Sequence, residues 1–162
     1  MKQPLIYLDT NIISVMYYAG RDIRIVYQRL VTREWWQKER KRFRLCASEL
    51  TEAELRKGVF ACQSRCLSLV RRFNYLPMNA AGRRCMDAYV QERLVPDSKH
   101  ADAAHLALAT VHGVEYLMTW NHAHLANLET QERLRGINRR LGYKTPYLVS
   151  PEALPWASHG QQ

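Results

Sequence analysis

Residues 5–11 read LIYLDTN, four apolar residues followed at once by a polar cluster. An apolar run without alternation predicts a short strand that is buried on both faces, and we assign residues 4–8 to it. The strand stops at Asp9. That carboxylate is therefore expected at the carboxyl end of a buried strand, which is where ligands bind in open α/β sheets.

The rest of the chain alternates helical patterns with short apolar strands. Further strands are predicted at 43–47, 75–78, 115–119 and 146–149, and helices at 11–18, 22–42, 48–57, 59–73, 79–93, 101–112 and 128–141. This alternation is typical of a parallel sheet covered by helices on both faces. The predicted fold class is therefore α/β, with three α/β/α layers around a central, mostly parallel sheet of four to five short strands.

Composition limits the type of protein and its partners. The 162 residues are 47% hydrophobic and 24% charged, which is typical of one globular domain. The first apolar run is too short for a secretory signal, and no segment approaches roughly 18 apolar residues, so we expect a cytoplasmic protein without a membrane span. The net charge of +9 favours a polyanionic partner, with nucleic acid ahead of an acidic protein or a membrane surface.

Acidic and amide side chains follow successive predicted strands. They are Asp9 and Asn11 after the first strand, Glu52 and Glu54 on the helix after the second, Asp97 and Asp102 around the start of the alanine-rich helix, and Asn121 after the fourth strand. Oxygen ligands that converge from separate segments suit Mg²⁺ or Mn²⁺ better than zinc, which prefers His and Cys. The pattern indicates metal-dependent phosphate chemistry.

Each of these residues also has a structural interpretation, and the residues alone leave both open. Asp9 and Asp97 fit turns, Thr10 or Asn11 fits a helix N-cap, Thr51 and Glu54 fit a capping box, Asp102 fits the first turn of a helix, and Asn121 fits a cap of the following segment. The joint placement of the acids after successive strands is the stronger signal.

Histidine and cysteine are assigned structural roles. His105 lies three residues after Asp102 on one helix face, and His122 and His124 flank Asn121, but a core or surface role is favoured for all three over metal ligation. The four cysteines form no C-x-x-C pair. Cys62 and Cys66 lie four residues apart, which on a helix places them on one face, and both are expected to be core residues rather than metal or redox groups.

Four segments, in order, resemble the motifs of PIN-domain nucleases. They are YLDTNII at 7–13, LTEAELRKG at 50–58, ADAAHLALA at 101–109 and YLMTWNHAHL at 116–125. The resemblance extends over roughly residues 5–154. Within this family, the chain is similar to the VapC-type toxins of bacterial toxin–antitoxin systems. The resemblance implies a single PIN-like nuclease domain over residues 1–155 and a C-terminal tail over 156–162.

The resemblance also implies an activity and a site. Asp9, Glu54 and Asp102 match the family's acidic positions and would bind Mg²⁺ or Mn²⁺, and together with Asn121 they would form the catalytic set of an RNA phosphodiesterase. Many members carry an aspartate where this chain has Asn121, which leaves a second metal ion in question. Glu52 stands in the wrong register for the second motif. The implied partners are RNA, a small antitoxin that is acidic where it reaches the pocket, and a second copy of the chain in a homodimer.

Two rival interpretations apply to these segments. A haloacid dehalogenase-type phosphatase needs a second aspartate two residues after the first, where this chain has Asn11. A catalytically weak or inactive PIN-like module that binds RNA or protein is the alternative that remains. Residues 33–44 interleave cations and aromatics, which is typical of an RNA-binding surface, of a protein-binding site or of the solvated end of a helix.

Two further expectations concern the site itself. Thr10 and Thr119 are candidates to position water or phosphate through their hydroxyl groups. Carboxylates that lie close together repel one another when no metal is bound, so Asp9→Asn and Asp102→Asn should each leave the metal-free protein as stable as the wild type or more so. A purely structural role for the acids predicts a loss of stability instead.

Overall fold

A computed structural model describes residues 3–154 of the chain, and the predicted tail, residues 156–162, lies outside the described residues. The strands are β1 (Leu5–Leu8), β2 (Arg44–Ala47), β3 (Asn74–Tyr75), β4 (Tyr116–Met118) and β5 (Tyr147–Val149). The helices are α1 (Thr10–Met16), α2 (Ile23–Lys38), α3 (Glu49–Arg56), α4 (Gln63–Val70), α5 (Ala80–Gln91), α6 (His100–Val111) and α7 (Leu128–Leu141), with short 3₁₀ turns at Arg40–Arg42 and Asp97–Lys99.

The five strands form one sheet in the order β3-β2-β1-β4-β5, and every neighbouring pair is parallel. The predicted α/β class, with a parallel sheet of four to five short strands, is confirmed. Strand β1 is central, since Tyr7 pairs with Cys46 of β2 on one side and with Leu117 of β4 on the other. The order of connection reverses at β1, and a ligand crevice forms at such a point outside the carboxyl ends of the strands.

Each face of the sheet is covered by its own layer of helices. Ile6 and Leu8 of β1 contribute to a core that also contains residues of α1, α2, α3 and α4. Tyr7, between them, faces the other way into a core built with α5, α6 and α7. Successive strand residues point to opposite faces, so β1 is buried on both sides, as its unbroken apolar run predicts.

Three predicted elements depart from their predicted bounds for identifiable physical reasons. The helix predicted at 59–73 is reduced to α4, because Gly58 and Cys62 adopt left-handed backbone conformations with φ of 73° and 67°. The helix predicted at 22–42 ends at Lys38 and continues only as the 3₁₀ turn at Arg40–Arg42. The strand predicted at 75–78 is observed as Asn74–Tyr75, and it ends two residues before Pro77, which has no N–H to donate to a neighbouring strand.

None of the helices in residues 3–154 is long and apolar enough to cross a membrane.

Candidate metal centre

Two carboxylates and an imidazole meet at the carboxyl edge of the sheet. Asp9 follows β1, Glu54 lies on α3 and His105 lies on α6, and one ligand atom of each falls within 4.8 Å of the other two. The Nε2 atom of His105 is 3.1 Å from Oε2 of Glu54 and 3.6 Å from Oδ1 of Asp9. This group could hold a metal ion.

Hydrogen bonds fix the carboxylate of Asp9, which is only 5% exposed. Its Oδ1 accepts from the backbone N–H of Thr10 at 2.6 Å and caps α1. Its Oδ2 accepts from the Asn11 amide at 2.8 Å and from the Thr119 hydroxyl at 2.6 Å. Asp9 itself is therefore the N-cap that the sequence suggested for Thr10 or Asn11, and Thr119 orients the carboxylate.

Asn11 ties the ends of the two central strands together. Its Oδ1 accepts from the backbone N–H of Trp120 at 2.9 Å, and its Nδ2 donates to the Thr119 hydroxyl at 3.0 Å. Thr119 and Trp120 both follow β4, so these hydrogen bonds hold the segments after β1 and β4 together beside Asp9.

Glu54 is oriented by partners from two other elements. The Thr10 hydroxyl donates to its Oε2, which also lies against His105. Burial alone would raise the pKa of Glu54, but the hydrogen bond and positive charge of His105, with the Thr10 hydroxyl, hold that pKa below its usual value. The suggested capping box of Thr51 and Glu54 does not form, because Ser48 caps α3 and accepts from the N–H of Thr51 at 3.3 Å.

His105 is buried, with 1% of its surface exposed, so the predicted core position is confirmed. The same side chain also belongs to the group that could hold a metal ion. Burial opposes the charged form, yet the Tyr7 oxygen and the Glu54 and Asp9 carboxylates raise the pKa of His105 well above its usual value. The signal for this role was its position three residues after Asp102 on the same helix.

A buried hydrogen-bond cluster sets the orientation of the His105 ring. The Tyr7 hydroxyl lies 2.6 Å from His105 Nδ1, 2.7 Å from Ser48 Oγ and 3.3 Å from Thr51 Oγ1. Because Nδ1 is occupied by Tyr7, Nε2 is the ring atom that faces the carboxylates. Partners of this kind orient metal-binding histidines in proteins.

Asp102 and Asn121 form the second part of the site. The Asn121 amide donates to Asp102 Oδ2 at 3.1 Å, while Asn121 Oδ1 accepts from the backbone N–H of His124 at 3.1 Å. The capping interpretation of Asn121 is thus confirmed, and its nitrogen rather than its oxygen faces the acid. Burial, followed by the negative charge of Asp9, raises the pKa of Asp102. The sequence predicted Asp9, Glu54 and Asp102 as the metal-binding group. Among the described residues, the third member of the close group is His105 rather than Asp102.

Other candidates from the sequence lie apart from this group. Glu52 bonds Tyr75, Arg56 and Arg71, which lower its pKa to about 2, so it serves a surface network. Asp97 and His122 are exposed. The four cysteines are free; Cys46, Cys66 and Cys85 are buried and Cys62 is partly exposed.

Comparison of the chain with known protein families and with curated proteins finds no match. A functional assignment therefore rests on the motifs and on the geometry of the metal centre.

Proposed function

We propose that this protein is a divalent-metal-dependent endoribonuclease of the PIN-domain type. The observation that carries the proposal is the meeting of Asp9, Glu54 and His105 at the point where the strand order reverses. Asp102 adds a third acid, whose pKa is raised first by burial and then by the charge of Asp9. Acids held this close are costly unless a cation neutralises them.

The residues fit a hard or borderline divalent ion. Asp9 and Glu54 would hold it, with Asp102 beside them, and Thr119 and Thr10 keep the first two carboxylates in place. A divalent ion at such a site supplies an activated water and stabilises charge on the leaving oxygen. Asp102, held by Asn121, is available to take the proton of the attacking water.

The donor set also bears on the choice of ion. Carboxylates alone suit Mg²⁺, whereas an imidazole adds affinity for Mn²⁺, which lies in the first-row transition series. His105 offers its Nε2 atom to the same space as the two carboxylates. We therefore expect both ions to support cleavage, and Mn²⁺ to bind more tightly than Mg²⁺.

The ends of the RNA product test the proposed chemistry. When water attacks phosphorus, the 2′-hydroxyl of RNA is not the nucleophile, so cleavage should leave 5′-phosphate and 3′-hydroxyl ends. End-group analysis of a labelled RNA after partial digestion with Mn²⁺ gives the answer, and an RNA with 2′-O-methyl groups at the cleaved position should be cut as well. Products with 2′,3′-cyclic phosphates would refute the proposal.

A role as the toxin of a toxin–antitoxin pair is the second half of the proposal. The family resemblance and the charge of +9 suit a small antitoxin that is acidic in the segment that reaches the pocket, and we propose that the nuclease acts as a homodimer. Overexpression should arrest growth, and co-expression of the adjacent gene's product should relieve the arrest. Normal growth with the wild-type protein, at the same expression level as an inactive variant, would exclude the toxin role while leaving the nuclease intact.

A further inference from the structure

A basic groove lies away from the metal centre, against the layer of helices α1, α2 and α4. Its main cavity has a volume of about 610 Å³, and two smaller cavities adjoin it around Tyr17 and Leu69. We define the basic groove by Tyr17, Trp36, Arg40, Lys41, Arg72 and Phe73.

The charge of this groove is of one sign. Arg40, Lys41 and Arg72 line the main cavity, and no carboxylate of residues 3–154 lines it. Within the same described range, none of these three cations forms an ion pair with an aspartate or glutamate. Unpaired cations gathered in a concave surface attract a polyanion.

The floor of the groove is aromatic. The guanidinium of Arg40 lies over the Trp36 ring, 5.1 Å from its centroid, and the rings of Trp36 and Phe73 are 6.2 Å apart. Trp36 and Phe73 are both partly exposed. Bases of single-stranded nucleic acid stack on aromatic rings and on arginine planes, whereas an acidic peptide would use the cations and leave the rings unused.

We propose that the basic groove binds single-stranded RNA, with a base against Trp36 or Phe73 and the neighbouring phosphates at Arg40, Lys41 and Arg72. The choice of RNA rests on the proposed function, but binding in the groove needs no metal. The metal centre carries the carboxylates of Asp9 and Glu54, which repel phosphates when no cation is bound, so a separate cationic anchor would hold the substrate nearby.

Helix α1 sets the distance between the two sites. Asp9 caps its first turn at the metal centre, and Tyr17 caps its last turn at the groove. Tyr17 is eight residues after Asp9, which corresponds to about 12 Å along the axis of an α-helix. The metal centre and the basic groove therefore lie at opposite ends of α1.

The test is the affinity for a fluorescent 2′-O-methyl RNA decamer, measured by anisotropy in EDTA so that cleavage does not interfere. Lys41→Glu/Arg72→Glu changes two exposed groove residues, and Arg84→Glu/Arg139→Glu makes the same charge change at exposed positions on α5 and α7. We expect the affinity of the groove variant for the RNA to fall at least about tenfold. The slope of log K against log salt concentration should become less steep by about 1.4, because two phosphate contacts are lost. The control variant should stay within about threefold of the wild type.

A third variant separates stacking from charge. Trp36→Leu should weaken binding by about tenfold without changing the salt slope, and Trp36→Phe should restore most of the affinity. Equal losses in both charge variants would overturn the proposal, and so would a groove that binds a glutamate-rich decapeptide more tightly than the RNA. Because the assay contains no metal, these outcomes are separate from those of the cleavage assays.

Discussion

Replacing Glu54 by glutamine is expected to slow RNA cleavage by about a thousandfold, which corresponds to about 4 kcal/mol of lost transition-state stabilisation. The carboxylate lies 3.1 Å from His105 and belongs to the group that could hold the metal ion. A neutral amide is a weaker ligand for a hard cation, so both the affinity for Mn²⁺ and the rate should fall.

Glu52→Gln is the matched control for this variant. Glu52 stands two residues earlier on α3, but its carboxylate bonds Arg56, Arg71 and Tyr75 on the surface. We expect cleavage by Glu52→Gln within about twofold of the wild type, because surface substitutions away from a site have small effects. Comparable losses in the two variants, measured as initial rates at saturating Mn²⁺, would show that Glu54 has no special role.

The second large effect is a difference in stability between two inactive variants. Asp9→Asn and Asp102→Asn should both abolish cleavage. From the sequence alone, both variants are expected to leave the metal-free protein at least as stable as the wild type. The structure changes this expectation for Asp9→Asn, which should lower the stability of the metal-free protein. The Asp9 carboxylate accepts from Thr10, Asn11 and Thr119. The side-chain amide of the Asp9→Asn variant would turn its own N–H groups toward one of these buried donors. The unpaired donor should lower the free energy of unfolding by about 1–3 kcal/mol.

Asp102→Asn should have the opposite sign. Burial and the charge of Asp9 raise the pKa of Asp102 above its ordinary value of 3.8, so the ionised form destabilises the folded state. This cost is absent below pH 3.8, develops as the pH rises towards the folded pKa, and is fully present above it. An asparagine removes the charge, and its oxygen can still accept from Asn121, so the variant should be as stable as the wild type or more so at neutral pH.

Thermal melts in EDTA measure both effects. At pH 7 the melting temperature of Asp9→Asn should fall by roughly 2–4 °C for each kcal/mol lost, while that of Asp102→Asn should stay level or rise. At pH 4 the difference in melting temperature between Asp102→Asn and the wild type should be smaller than at pH 7. Clear destabilisation of Asp102→Asn at pH 7 would mean that this acid serves the first turn of α6 rather than the site.

The sequence predicts the fold because its strongest signals are local. The apolar run that ends at Asp9 requires a strand buried on both faces, and the alternation of such runs with helices requires a parallel sheet. Boundaries were missed where a single backbone angle decides them, as at Cys62, whose left-handed conformation delays the start of α4.

The site was predictable only in part. Asp9 and Glu54 follow from their positions after the first two strands, and they do meet. The place of His105 depends on the approach of α6 to α3 and on Tyr7, which lies 98 residues away in the chain. The orientation of Asn121 depends on a backbone N–H three residues later, at His124, and no periodic pattern encodes it.

The basic groove shows the same limit. Residues 33–44 already showed the mixture of cations and aromatics, but the groove also needs Tyr17, Arg72 and Phe73 from distant segments. Charge and composition therefore indicated a polyanionic partner without showing where it would lie.

The most direct test of the metal centre is the rate of RNA cleavage by the wild-type protein after treatment with EDTA, followed by titration with Mn²⁺. We expect no cleavage in EDTA and full recovery at saturating Mn²⁺, because we propose that Asp9, Glu54 and His105 hold an ion that activates water. Cleavage that continues undiminished in EDTA would contradict the account.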